Sequence, residues 1–419
     1  MRNLTVAILC MLPAAAFAGG YVVPNINARD LAIAGAGVAA QDSAGATYSL
    51  PAALSRLDGL SVSADVSLID IRSTWSDSFS VYGSQPVTMI PKATFPPAIY
   101  AAYGMPLPND MRLGVGAGLT IPGGGFVFWP GDWAGNSEII SVDRRVYGMY
   151  LTAGVQVLPQ LRLGGGLVYY RTTEHLTQGL NFLSERGQIE LGTAGGALSY
   201  DVSLEANPIP NVPLTFAFDY KHQGVMKLEG HAHGDNVPIA LQPSLLDQEV
   251  THVLTYPNQL NTGVSYKLPL PTPLNQDSSL TFMFGWTWER FHVYTSDTFI
   301  GDRGVTVSVP RDYKNGDTFR FGVEYAGIIP RLRARVGILR DLSPNRPETA
   351  SPTLPDSDVT ALSIGVGYEV IPNLEVNAGF FHAFYDTMTT QGTETFQGSY
   401  DTRTNIYALN ITWKMPQKR

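Results

Sequence analysis

From residue 59 onward the chain alternates apolar and polar residues in segments, and the joints between those segments alternate as well. In 279–289, Leu280, Phe282, Phe284, Trp286 and Trp288 share one face, opposite Ser279, Thr281, Met283, Gly285, Thr287 and Glu289. The final segment sets Tyr407, Leu409, Ile411 and Trp413 against Thr404, Ala408, Asn410 and Thr412. A period of two marks strands with two chemically different faces. The pattern predicts fourteen strands, over 59–72, 95–104, 111–121, 141–157, 161–176, 191–206, 212–229, 255–268, 279–292, 316–328, 331–340, 358–370, 374–386 and 402–415. Joints after even-numbered strands are tight and marked by Pro or Asn, with 269–278 the longer exception; those after odd-numbered strands are all long. A sandwich has no reason to sort loops by parity, whereas a membrane barrel has short turns on one side and long loops on the other. The expected fold class is all-β, a transmembrane antiparallel β-barrel of about 14 strands. Closure removes exposed edges and satisfies the backbone amides inside lipid.

The two ends fit that reading. Residues 1–18 read as a secretory signal: Arg2, an apolar stretch Val6–Leu12, and Ala16-Phe17-Ala18 before Gly19. The apolar stretch is too short to span a bilayer as a helix, and no later run of 18 apolar residues exists. The only cysteine, Cys10, lies in this leader, so no disulfide is expected in the mature chain. Without Arg2 the chain carries 27 Lys and Arg against 36 Asp and Glu, a net charge of −9 that excludes a nucleic-acid partner. The expected location is the outer membrane of a Gram-negative bacterium, multi-pass, with both termini periplasmic. Outer-membrane lipid and lipopolysaccharide would then be the surroundings, and a monomer is expected.

Fourteen strands enclose more space than side chains alone can fill. Residues 19–58, rich in Ala, Gly and Ser, are therefore read as a hatch packed in the lumen, with 59–419 as the barrel. Arg331, Arg333 and Arg335 are expected on the lumen face, with Glu324, Glu369 and Glu375 on neighbouring strands. Buried charges need partners, so these six are read as an ion-pair network bracing wall and hatch. The seven histidines form no Ser/His/Asp set at suggestive spacing, and His231-Ala-His233 reads as a loop tip rather than a metal site. No catalytic residue, metal or cofactor is expected, and neither is an outer-membrane lipase or protease. A porin for polar solutes, with the hatch disordered, is the alternative to a channel for hydrophobic molecules.

The stretches SADVSLIDIR, MRLGVGAGLTIPGGGFVF, LGGGLVYYR, RARVGILRDLSPNRP followed by LPDSD, and NIYALNITWK resemble the FadL/TodX family. That resemblance implies an outer-membrane transporter of long-chain fatty acids or hydrophobic compounds. Ligand would land in an apolar groove between outer loops, reach an inner pocket touching the N-terminus, and leave sideways where the third strand kinks inward. Leu50-Pro51-Ala52 occupies the place of the family's Asn-Pro-Ala hatch motif and lacks its Asn. Tyr21 stands where the N-terminal aromatic lies, and Pro122-Gly123-Gly124-Gly125 where the kink lies. Loop 230–254 offers Ile239, Leu241 and Leu245, and loop 177–190 offers Phe182 and Leu183, as apolar ligand contacts. Arg171 matches a basic residue that meets the ligand carboxylate, although strict alternation puts it on the lipid side without a bulge; Lys314 is a second choice.

Overall fold

Outward residues along the strands set the lipid-facing belt. On the last strand Tyr407, Leu409, Ile411 and Trp413 are all exposed, while the intervening Thr404, Ala408, Asn410 and Thr412 are buried. The computed structural model describes residues 22, 27–182, 186–273, 275–327, 329–391 and 396–416. The leader, Tyr21 and Leu183 lie outside these. Fourteen strands form one closed antiparallel barrel. They are β1 Gly59–Ser76, β2 Pro97–Pro106, β3 Arg112–Phe128, β4 Ser141–Leu158, β5 Leu161–Asn181, β6 Arg186–Ala206 and β7 Leu214–Lys221 with Gly224–Asp235. There follow β8 Asp247–Tyr256 with Gln259–Pro269, β9 Ser279–Glu289, β10 Gly316–Ala326, β11 Leu332–Leu342, β12 Val359–Ile371, β13 Leu374–Tyr385 and β14 Ser399–Lys414. Closure is made by β1 and β14, zipped from Ser61↔Lys414 to Ser76↔Ser399.

Two expected loops are largely strand. β5 pairs with β6 out to Asn181↔Arg186, and β7 with β8 out to His233↔Asp247, so the tips shrink to 182–185 and 236–246. Beyond the lipid a ladder continues for as long as both chains find partners, and lipid-belt length does not limit it. β7 and β8 are each interrupted, at 222–223 and 257–258. Pro257 has no N–H to give, and the Asn258 side chain replaces the missing bonds, accepting from the Gln223 N–H at 2.8 Å and the Tyr220 hydroxyl at 2.9 Å. Between β9 and β10 an outer hairpin, arms Ser296–Gly301 and Thr306–Pro310, adds itself to β8 through Val250↔Gly301 to His252↔Phe299.

Residues 28–56 lie inside the wall as four short helical turns, Ala28–Leu31, Gly37–Ala40, Ala46–Ser49 and Pro51–Arg56. Asn27 caps the first, its side-chain oxygen accepting from the Arg29 and Asp30 N–H groups, and Pro51 opens the last. Ala28, Ala36, Ala44, Leu50, Ala52 and Leu54 are fully buried. The wall answers small residues with glycines. A Cβ on Gly104 would sit 1.9 Å from the Leu57 carbonyl oxygen, one on Gly154 2.2 Å from that of Pro51, and one on Gly337 2.3 Å from the Ile33 carbonyl carbon. Backbone therefore lies directly on backbone. Leu50 packs among apolar side chains, and, two residues on, the Ala52 N–H donates to Ser203 Oγ on β6 at 2.9 Å.

Four of the six expected lumen charges join one cluster. Arg335 binds Glu324 at 2.6 Å and Glu375 at 3.4 Å, and Arg333 binds Glu324 at 3.4 Å and Glu375 at 3.8 Å. Arg29 of the N-terminal segment reaches Glu324 at 3.8 Å and pairs with Asp42. Arg331 and Glu369 do not take part among the described residues. Arg331 stands in the turn before β11 with φ 70°, exposed rather than on the lumen face. Glu369, next to a β-bulge, accepts the Asn373 N–H instead.

Candidate ligand cavity and lateral opening

An apolar cavity of about 300 Å³ lies on the long-loop side of the barrel. Leu176 and Leu180 of β5, Ile189 and Leu191 of β6, Val250 of β8 and Phe299, Val307 and Val309 of the hairpin supply its aliphatic and aromatic wall. The volume stands at the lower end of the ~300–1,000 Å³ usual for ligand pockets. Below it, Leu354, Tyr313, Tyr294, Phe291, Tyr256, Tyr170, Tyr150 and Val146 form a continuous buried cluster that ends at Val22.

One end of the cavity is charged. Arg144, Asp297 and Arg311 line it beside Tyr294 and Tyr313. Arg144 projects inward because Val142, Arg144, Val146 and Tyr150 share the inner face of β4. Its Nε donates to Glu174 of β5 at 2.7 Å, and a second nitrogen lies 3.6 Å from Asp297. Arg311 Nε donates to Asp297 Oδ2 at 3.0 Å with its Nη2 2.9 Å from the same oxygen, and the Tyr294 hydroxyl donates to the same carboxylate. Burial would raise the Asp297 carboxyl, but Arg144 and Arg311 together hold it well below the usual carboxylate range. Burial would lower the Arg311 guanidinium, and Asp297 more than reverses this. Buried charges are thus held in pairs.

β3 forms the opposite wall through Gly125. Up to Leu119 this strand pairs with β2, ending at Ile99↔Leu119. There it turns inward, and every residue from Thr120 to Val127 is buried. Two residues, Ile121 and Pro122, face the single Tyr147 of β4, since Thr120 pairs with Gly148 and Gly123 with Val146. Such a bulge bends the strand that carries it. Pro122 has no N–H for a ladder, and Gly124 adopts φ 152°, a conformation that favours glycine. The lip 91–96 stays zipped to β1 through Ile69 and Thr94. Among the described residues its backbone makes no hydrogen bond to β3 until Ile90 N–H donates to Phe128 O at 2.7 Å. The ladder of the wall is broken between these two points. Val22 pairs with Gly123 across this kink, and the Tyr256 hydroxyl donates to Pro122 O at 2.8 Å.

Other candidates fall elsewhere. Arg171 is exposed on the outer face of β5, paired with Tyr147, because the β5 ladder runs without a bulge at this point. Lys314 is exposed, Ile239 is 85% exposed and Leu241 is also exposed, so none of the three lines the cavity. Leu245 does line it, whereas Phe182 packs beside Gly187 at the strand tips. Arg144 was legible as the one charge on the apolar inner face of its strand; Asp297 and Arg311 carry no periodic signal.

The sequence profile of the family described as Outer membrane protein transport protein (OMPP1/FadL/TodX) matches residues 9–415. The chain belongs to the FadL/TodX family. FadL/TodX proteins are outer-membrane channels that transport hydrophobic compounds, not enzymes. No curated protein matches the chain by sequence. A FadL homologue of Pseudomonas aeruginosa shares the fold at a TM-score of 0.82 and 17% identity, covering 94% of this chain and 99% of that one. The P. putida toluene transporter TodX gives 0.69 and 15%, covering 92% and 99%. The CymD monoaromatic hydrocarbon channel gives 0.68 and 15%, covering 95% and 100%. At these identities the FadL/TodX structures speak for the fold alone.

Proposed function

We propose that this channel takes up small hydrophobic molecules, fatty acids or aromatic hydrocarbons, passively through the outer cavity and releases them sideways between β2 and β3. One observation carries the reading: the kinked part of β3 lines the cavity at Gly125, pairs with the N-terminal segment at Gly123, and has left its ladder with β2. Cavity and N-terminal segment thus meet on Gly125 and Gly123 of the stretch that has left its ladder. Transfer of apolar surface into the cavity drives capture at ~25 cal/mol per Å² buried. The same term opposes release, so something must move. From Asn27 onward the segment's backbone rests on wall glycines and its charges on Glu324. Val22 is the N-terminal contact on the kink, and its departure from Gly123 is the movement that release needs.

Residues 19–58 act in this reading as a hatch that closes the lumen. Deleting Tyr21–Pro24 tests it. Uptake of a labelled hydrophobic substrate into vesicles carrying the variant is expected to fall at least about tenfold, the loss of one coupling step worth ~1.4 kcal/mol. Uptake at the parent rate contradicts the mechanism.

A further inference from the structure

Gln248 is 6% exposed and stands on the inner face of β8, in line with Val250, His252, Leu254 and Tyr256. It lines the cavity with Ala232 of β7, Leu245, and Gly301 and Val305 of the hairpin. The charged end is four residues away along the strand, where His252 lies 3.1 Å from Asp297. At ~3.3 Å per residue that is about 13 Å. The surroundings of Gln248 are therefore apolar, and apolar walls need no partner, whereas a carboxamide does.

This carboxamide has none among the described residues. Its Oε1 is shut away without a donor, and the side chain makes no hydrogen bond to any of them. Its seat is built all the same. A Cβ on Gly301 would stand 2.0 Å from Oε1 and 2.8 Å from the amide carbon, so a side chain at 301 would take the amide's place. The other uncharged polar side chains of the wall are engaged within the protein. Gln178 donates to Ser137 O, Thr353 bonds Ser351, Tyr294 donates to Asp297, and Tyr313 packs edge-on against Tyr294 at the charged end.

We infer that Gln248 makes the outer cavity select hydrophobic molecules that carry a hydroxyl, an alcohol or a phenol, over hydrocarbons of the same shape. A hydroxyl both donates and accepts, so it pairs with either end of the amide. Any ligand that fills the cavity strips water from Gln248. A hydrocarbon then leaves a buried amide with nothing to bond, while a hydroxyl replaces the bond that the water made. A site with an unpaired polar group thus discriminates against the analogue that lacks the matching one.

The inference rests on the outer cavity being the ligand site, and the test separates the two. The probes are 4-ethylphenol and 4-ethyltoluene, which differ by a hydroxyl in place of a methyl. Binding of each to the full protein in amphipol is compared between the parent and Gln248→Met, which keeps the side-chain length and removes the amide. Hydration of the free probes is the same in both comparisons and cancels. The phenol is expected to bind the variant about tenfold more weakly, the loss of one hydrogen bond of ~1.4 kcal/mol. The toluene should bind as tightly or more tightly, which also shows that the variant is folded. Gln248→Leu should repeat this pattern. A purely packing role for Gln248 would weaken both probes alike in both variants, and that result overturns the inference. So does phenol binding at the parent affinity, which leaves the cavity as ligand site. Binding of 4-ethyltoluene that survives Leu180→Trp, a substitution that fills the cavity, overturns the site and the inference together.

Discussion

Deleting Pro122 is expected to reduce uptake of hydrophobic substrate to the level of vesicles without the protein, while the outer cavity goes on binding ligand. Ile121 and Pro122 face one residue of β4, and removing one of them restores a one-to-one register. Period-two alternation then turns Ile121 and Phe126 toward the lipid, where β3 meets the lip again. The strand regains its path, and the break that began at Leu119 closes. Cavity residues on β5, β6 and the hairpin are untouched, so a fluorescent ligand should bind within about threefold of the parent, ~0.6 kcal/mol. Retained uptake in the straightened variant would show that ligand leaves by another route.

Gly154→Leu is expected to turn a silent channel into a conducting one. The wall at Gly154 has no room for a Cβ, since it would stand 2.2 Å from the Pro51 oxygen and 2.9 Å from that of Ala52. Overpacking a close-packed interior costs typically ~1–3 kcal/mol, and a leucine adds three carbons beyond that Cβ. The cheapest relief is displacement of the turn Pro51–Arg56, because the wall itself is held by ladders on both sides. In planar bilayers the parent should show no steady current and the variant a persistent one. Its heat-dependent shift between folded and unfolded bands should occur at lower temperature. A silent, equally stable Gly154→Leu would show that the segment does not seal the lumen by resting on these glycines.

Strand number and loop parity were legible because both follow from lipid: alternation faces two solvents, and only one side of the membrane is crossed by long loops. The bend in β3 was legible at Pro122–Gly125 for local reasons, the missing N–H and the glycine conformations. Strand ends were not, since β5 to β8 extend past the lipid belt on pairing alone. The basic residue was misplaced for a related reason. Family resemblance pointed to Arg171, but the unbroken β5 ladder keeps it outside, and Arg144 across the sheet carries the inward charge. Asp297 and Arg311 lie in a long connection whose hairpin joins β8, a strand some forty residues earlier, and no local pattern announces that pairing.

The central claim is that the N-terminal segment must leave the kink for ligand to pass, and a reversible cross-link tests it most directly. Val22 and Gly123 are antiparallel partners, about 4.5–5.5 Å apart at Cα, within the ~4.4–6.8 Å that disulfides span. The only native cysteine is Cys10 in the leader, so Val22→Cys with Gly123→Cys introduces a single pair. Oxidised protein should bind ligand in the outer cavity yet transport none, and dithiothreitol should restore uptake to the parent rate. Transport at the parent rate with the disulfide closed would contradict the account.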